Sequence, residues 1–371
     1  MKDARIEKLA KNLINFSCRM QRDENILIES YGDCNMLVKA LVREAYAVGA
    51  NPFVWLRSTE VNREVHRGAN AQQLELMSKV DCALMENMQA YIGVRGGLNS
   101  AEMSDVPEDR IALVGNRYSE PLHGKIRIPG TKWCVMRYPT PGMAQQAGMS
   151  TEAFEDYYFD VCCLDYSKMN KAMDALVELM QRTDKVRLTG TNTDIEFSIK
   201  GLPAIKCAGE MNIPDGEVFT APVDGSINGR INYNTPSLFE GFTYENITLT
   251  YKNGRLVDAM ANDTQRVRKV FERDAGAKGV GEFAIGVNPY ITKPMKDTLF
   301  DEKIAGSFHF TPGCCYDECD NGNKSDIHWD LVFIQTPEYG GGEMYFDGKL
   351  VRKDGLFVLP ELYCLNPESL K

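Results

Sequence analysis

The chain has no run of about 18 apolar residues, so no membrane-spanning helix is expected. It has no excess of positive charge either. Its 42 Lys and Arg face 52 Asp and Glu, for a formal net charge of −10 and a pI of about 5.1. Such a surface repels nucleic acid and anionic lipid, and neither is expected as a general partner. Residues 1–8 have no apolar stretch behind them, so no secretory signal of the usual form is expected. The 11 cysteines do not form the even, spaced framework of a small disulfide-bonded domain. They are odd in number and scattered, with adjacent pairs at Cys162-Cys163 and Cys314-Cys315. Reduced thiols and a cytoplasmic location are the expectation. No Gly-rich phosphate loop opens the first helix, where the turn reads Ser30-Tyr31-Gly32-Asp33, so a dinucleotide site is unsupported. Internal repeats and low-complexity segments are also missing.

What remains is an ordinary globular composition, 43% hydrophobic and 25% charged, over 371 residues. That length favours two domains. In the first half, Ile6, Leu9, Leu13 and Ile14 recur at helical spacing. Residues 25–29 form a short apolar run suited to a buried strand. Leu37, Val38, Leu41, Val42 and Ala45 then mark an amphipathic helix, with Gly49 as its C-terminal stop. Residues 52–56 are a second strand candidate. Strand, helix and strand in this order make a βαβ unit and imply a parallel pair. Further strands are expected at 82–85, 111–114 and 133–136. Residues 141–182 read as helical, with a capped start at Ser150. Past Lys185 the pattern turns to strands, at 186–189, 194–198 and 247–251. The last of these leads into Asn253-Gly254, a hairpin signal repeated at Asp347-Gly348. Residues 263–273 form a helical stretch. The expected architecture is an α/β N-terminal domain with a parallel sheet over residues 1–183. A β-rich α+β domain follows over 184–371.

Only four histidines are present, His66, His123, His309 and His328. His328 lies in an apolar, strand-like run, 327–334. Side chains two apart on a strand share a face, so His328 and Asp330 would project together with Trp329 packed behind. An imidazole and a carboxylate so placed can grip one metal ion; alone, the pattern slightly favours a buried His–Asp hydrogen bond that only stabilises the strand. His309 sits in a second strand-like segment, Ser307-Phe308-His309-Phe310. Glu217 and Glu282 each follow a glycine and enter an apolar segment. A buried, unpaired carboxylate costs several kcal/mol, which a metal ion would remove. For either glutamate alone, an edge position facing water is the simpler reading.

Several stretches taken together resemble the metallo-aminopeptidase family of aminopeptidase T and aminopeptidase S. They are residues 137–144 (Arg-Tyr-Pro-Thr-Pro-Gly-Met-Ala), 148–155, 212–220 (Asn-Ile-Pro-Asp-Gly-Glu-Val-Phe-Thr), 281–284, 309–313 and 323–330. The resemblance spans nearly the whole chain and implies metal ligands at Glu217, Glu282, His309, His328 and Asp330. It implies an active-site tyrosine at Tyr316 and catalytic parts for Glu217 and Glu282. It further implies a homodimer, two divalent ions per chain (zinc, cobalt or manganese) and short peptides with a free N-terminus as substrates. Three carboxylates balance two divalent ions and one bridging hydroxide, and two such ions can activate that water. Between Tyr316 and His328 the chain is shorter than is usual for the family, and it carries Cys314, Cys315 and Cys319 close by.

A rival function stays open on the same fold. His309, His328 and Asp330 also make a two-His-one-carboxylate set suited to a mononuclear non-haem iron dioxygenase acting on dihydroxypyridines. The presence of both Glu217 and Glu282 favours two metals. A zinc held by Cys314, Cys315, Cys319 and His309 is a weaker alternative, because adjacent cysteines fit the usual ligand spacing badly. A Cys–His nucleophile lacks an accompanying acid or oxyanion motif.

Overall fold

A computed structural model describes residues 3–371; Met1 and Lys2, part of the N-terminal stretch weighed above, lie outside them. The chain forms two compact units. One holds the chain up to Cys163 together with Gly209–Ile213, and the other holds Leu164–Ala208 and Pro214–Lys371. The helices that precede residue 184 from Tyr166 onward therefore lie in the second unit.

The first unit is built on a parallel sheet. Its spatial order is Asn51–Arg57, Asn25–Tyr31, Ala90–Arg95, Lys132–Arg137 and Asn212–Ile213. The expected βαβ unit is present. The helix Asn35–Ala47 buries Leu37, Val38, Leu41 and Ala45, and Gly49, at φ 82°, turns the chain into the second strand. Two strand expectations fail here. Residues 82–85 finish the helix Ala71–Met85, and residues 111–114 belong to the helix Glu108–Val114. A four-residue apolar run does not distinguish strand from helix. The deciding signals lie upstream. Asn70 caps the first of these helices through Gln73, and its buried Leu74, Ser78 and Met85 keep helical spacing. The strand that enters the sheet instead is Ala90–Arg95.

Beneath this sheet Glu29 is buried with charged partners. Its carboxylate accepts from Tyr91 Oη at 2.5 Å and from Arg57 Nε at 2.6 Å, with Arg95 Nη1 3.5 Å away. Burial alone would raise this carboxyl. The Arg95 charge, the Tyr91 hydrogen bond and the Arg57 charge outweigh it and hold the group below its ordinary range.

The second unit is strand-rich, so an α/β unit with a parallel sheet precedes a β-rich one. Its larger sheet has eight strands. The two turns expected from Asn253-Gly254 and Asp347-Gly348 close hairpins in it. Both pairs hold positive φ, 51° and 78° in the first and 48° and 78° in the second. The other major sheet is antiparallel, in the order Val332–Ile334, Ser307–Pro312, Val280–Gly286, Glu217–Thr220 and Ile205–Cys207. Its strands are buried on both faces except Ile205–Cys207, which is half-buried. One face carries Phe283, Ile285, Phe308 and Phe310, and Phe197 from the larger sheet meets Phe283 and Phe310 at ring-centroid distances of 5.0 and 4.9 Å.

Candidate metal centre

The opposite face of that five-stranded sheet gathers polar side chains, because alternate residues share a face. Cys207 pairs with Glu217, Glu217 with Gly286, Ala284 with His309, and Glu282 with Thr311. These residues therefore line one side of the central strands. Ala284 contributes little bulk between them. Glu217, Glu282 and His309 are all buried.

Asp330 and His328 arrive from a neighbouring segment. The run 327–334 is a strand only over Val332–Ile334, and His328 makes an isolated bridge to Gly313. The expected pairing of side chains holds nonetheless. His328 Nε2 lies 3.1 Å from Asp330 Oδ1, while Trp329 turns away to stack on Phe239 and donate to Ser237 Oγ. Two glycines permit this approach. At Gly281 a Cβ would stand 2.0 Å from the Cys314 carbonyl oxygen, and at Gly313 it would stand 2.1 Å from that of Ile327.

The five residues form two groups joined at one residue. Glu217, Glu282 and His309 converge in one, and Glu282, His328 and Asp330 in the other. Glu282 Oε1 lies 3.3 Å from His309 Nε2, and Glu282 Oε2 lies 3.2 Å from His328 Nε2. Each oxygen of one carboxylate thus serves a different group. Glu217 Oε2 is 3.6 Å from His309 Nε2.

The hydrogen bonds test whether these residues fit a metal. The Cys314 carbonyl can only accept, so the 2.7 Å contact makes His328 Nδ1 the donor. In the neutral ring, Nε2 then turns a lone pair toward two carboxylate oxygens. That convergence is repulsive unless a proton or a metal ion sits among them. Glu217 Oε2 and His328 Nε2 are buried without a hydrogen-bond partner, which is the state expected of donors reserved for an ion. Asp330 is also steadied by Thr311 Oγ1, which donates at 2.8 Å. The residues fit divalent metal.

Proton affinities follow the same charge pattern. Burial lowers His309, but the carboxylates of Glu217 and Glu282 overcome it and raise the group to about 9. Burial likewise lowers His328, and the Asp330 and Glu282 carboxylates raise it to about 12. Burial raises Glu217 above the usual carboxylate range, against the pull of Lys303 and His309. In Glu282 the contacts with both histidines outweigh burial and lower it.

Tyr316 stands beside the centre. Its ring packs against His328 at 4.7 Å and Phe219 at 5.6 Å, and the residue is 47% exposed. Sequence reasoning missed Asp215, Cys207, Glu302 and Lys303. Cys207 and Asp215 form a further group with Glu217, and Glu302 forms one with His309 and Asp330. Among the described residues, Cys314, Cys315 and Cys319 join none of these groups. Cys315 Sγ contacts Asp320, and Cys319 Sγ accepts from the Ala221 amide, so both tie the loop together.

A buried set of carboxylates and imidazoles on a sheet face is a metallohydrolase type of centre. The family model of the thermophilic metalloproteases (M29) matches residues 2–343, and the chain belongs to that family. It is 25% identical over 412 residues to aminopeptidase PepS of Streptococcus thermophilus, covering 94% of this chain and 95% of that one. The solved structure of wild-type AmpT from Thermus thermophilus superposes with a TM-score of 0.78 at 20% identity, over 96% and 99% of the two chains. That of 2,5-dihydroxypyridine dioxygenase from Pseudomonas putida KT2440 superposes with a TM-score of 0.63 at 13% identity, over 96% and 98%. Family membership makes the chain a metal-dependent peptide hydrolase.

Proposed function

We propose that the chain is a two-metal aminopeptidase that releases N-terminal residues from short peptides. The observation that carries this reading is the division of Glu282, with one oxygen toward His309 and the other toward His328. A carboxylate so placed suits a bridge between two ions. Glu217, Glu282 and His309 would hold one ion; Glu282, His328 and Asp330 would hold the other. The aminopeptidase name of the Streptococcus relative supports the exopeptidase specificity. A metal pair bound here supplies an activated water and polarises a carbonyl.

The chain's own residues supply the rest. The Nδ1 hydrogen bond to Cys314 and the Thr311 bond to Asp330 fix the His328–Asp330 pair before any ion arrives. Tyr316, packed on His328, brings a hydroxyl to the mouth of the centre. It is assigned to donate a hydrogen bond to the tetrahedral oxyanion. Glu217 and Glu282 are assigned catalytic parts as the buried carboxylates that would hold the ions beside the histidines. Residues 184–371 are assigned as the catalytic domain. The ions are taken as zinc, cobalt or manganese, and the protein as a cytoplasmic homodimer.

Metal content per chain, measured beside hydrolysis of aminoacyl reporter amides, tests the proposal. Near two ions with metal-restored release of the N-terminal residue supports it. One iron, no peptide hydrolysis and oxygen uptake with a hydroxylated pyridine would move the chain to the dioxygenase reading.

A further inference from the structure

Next to the centre lies a cation position that the two-ion reading does not use. Glu217 offers one oxygen to His309 and turns the other, Oε1, the opposite way. Glu217 also groups with Asp215 and Cys207, the ligand atoms of the three residues lying within 4.8 Å of one another. Two carboxylates and a thiol suit zinc or a softer divalent ion. That space is already claimed. Lys303, only 1% exposed, brings its Nζ to 2.6 Å from Glu217 Oε1, 2.5 Å from Glu302 Oε1 and 3.8 Å from Asp215 Oδ1.

The backbone holds the lysine there. Its amide donates to the Phe300 carbonyl and its carbonyl accepts from the Asn288 amide, both at 3.0 Å. Gly286, opposite Glu217 in the sheet, clears the way. A Cβ at Gly286 would stand 2.4 Å from the Ile304 carbonyl oxygen and 2.9 Å from the Lys303 carbonyl carbon.

We infer that Lys303 is a built-in cation that fills a third metal position formed by Cys207, Asp215 and Glu217, and so excludes a third divalent ion. The ammonium leaves Glu217 with a single oxygen, Oε2, for the catalytic centre. An Arg or Lys side chain is fixed by the fold, whereas a metal ion would exchange with solvent. The charge that orients Glu217 is therefore permanent. This inference rests on the two-ion reading for what Oε2 serves; the occupancy of the third position can be tested apart from it.

The test compares wild type, Lys303→Ala, Cys207→Ser and the double variant after saturation with cadmium and removal of free metal. Metal per chain is measured together with the ultraviolet absorption of cadmium–thiolate bonds. Lys303→Ala should hold one more cadmium than wild type and show a thiolate band, and the double variant should lose that band. No increment, or a band that survives Cys207→Ser, overturns the inference. Wild-type content separately tests the two-ion reading, since the increment is read whatever the starting number. If Lys303→Ala fails to fold even with cadmium, the wild-type and Cys207→Ser pair decides. Equal spectra support exclusion by Lys303; a band in wild type that Cys207→Ser removes overturns it.

Discussion

His328 commits its Nδ1 proton to the Cys314 carbonyl, and this sets what its other nitrogen can do. Replacing it with alanine removes one donor from a three-residue group. Loss of an outer partner alone costs about 10–100-fold in affinity or activity, so His328→Ala should exceed about 100-fold in kcat/KM. It should also lower metal content with the fold intact, read by circular dichroism beside elemental analysis; a folded, metal-loaded and active variant would sink its assigned role. Tyr316→Phe should lower kcat by about 100-fold while KM moves little, as for loss of one oxyanion donor. A change confined to KM would make Tyr316 a binding residue instead. At this scale much was legible. The ordered Glu, Glu, His and His-x-Asp residues could be picked out through the family resemblance, not from any one of them alone, and the structure brings all five together. Glu302 and Lys303 could not. Asp301-Glu302-Lys303 reads as a solvated charged run, yet Asp301 and Lys303 are buried, and the Lys303–Ile304 backbone passes close to Gly286 on a strand apart from it.

Elements of secondary structure carry two further expectations. Gly286→Ala would push a methyl group into the Ile304 carbonyl, and overpacking of this kind costs about 1–3 kcal/mol. Denaturant unfolding should show that loss, and metal affinity should fall with it because the Lys303 segment moves. In the first unit, Glu29→Gln leaves Arg95 without its buried counter-charge and Arg57 with Asp81 alone, at a cost of about 3–5 kcal/mol near neutral pH. Glu29 titrates below its unfolded value of about 4.5, so its contribution is complete above that pH. It is lost as the pH falls through the lower folded value, and the gap between wild type and variant should close there. Unfolding curves at pH 7 and pH 3 measure this. Elements with two coincident signals were legible in the sequence. The hairpins had both alternation and an Asn-Gly or Asp-Gly turn, and the helix Asn35–Ala47 had both period and stop. Those read from a bare apolar run, at 82–85 and 111–114, went wrong, because four residues hold no period.

For the whole molecule, pH acts in opposite directions on the metal-free and metal-bound forms. Without metal, His309 and His328 keep protons against neighbouring carboxylates, titrating at about 9 and about 12. Both folded values lie above the unfolded value of 6.5, so this stabilisation is complete below pH 6.5 and is lost as pH rises through 9 and beyond. An incoming ion must displace those protons. Metal affinity should therefore rise between pH 6 and 9, by about tenfold per unit for each proton released. Calorimetry in buffers of different ionisation enthalpy counts the protons directly; affinity independent of pH would contradict the assigned ligands. Metal at 100 times its dissociation constant adds about 2.7 kcal/mol per site to the form that binds it. Chelation should accordingly increase hydrogen exchange in Val280–Gly286 and Ser307–Pro312 more than in Asn25–Tyr31.

The short strand Asn212–Ile213 belongs to the first unit's sheet although it lies just ahead of Asp215 and Glu217. Separating the units would take three cuts, at 163/164, 208/209 and 213/214. A gene encoding such a chain cannot trade one half by a single crossover. Recombination at any one of these points would strand a segment in the wrong partner.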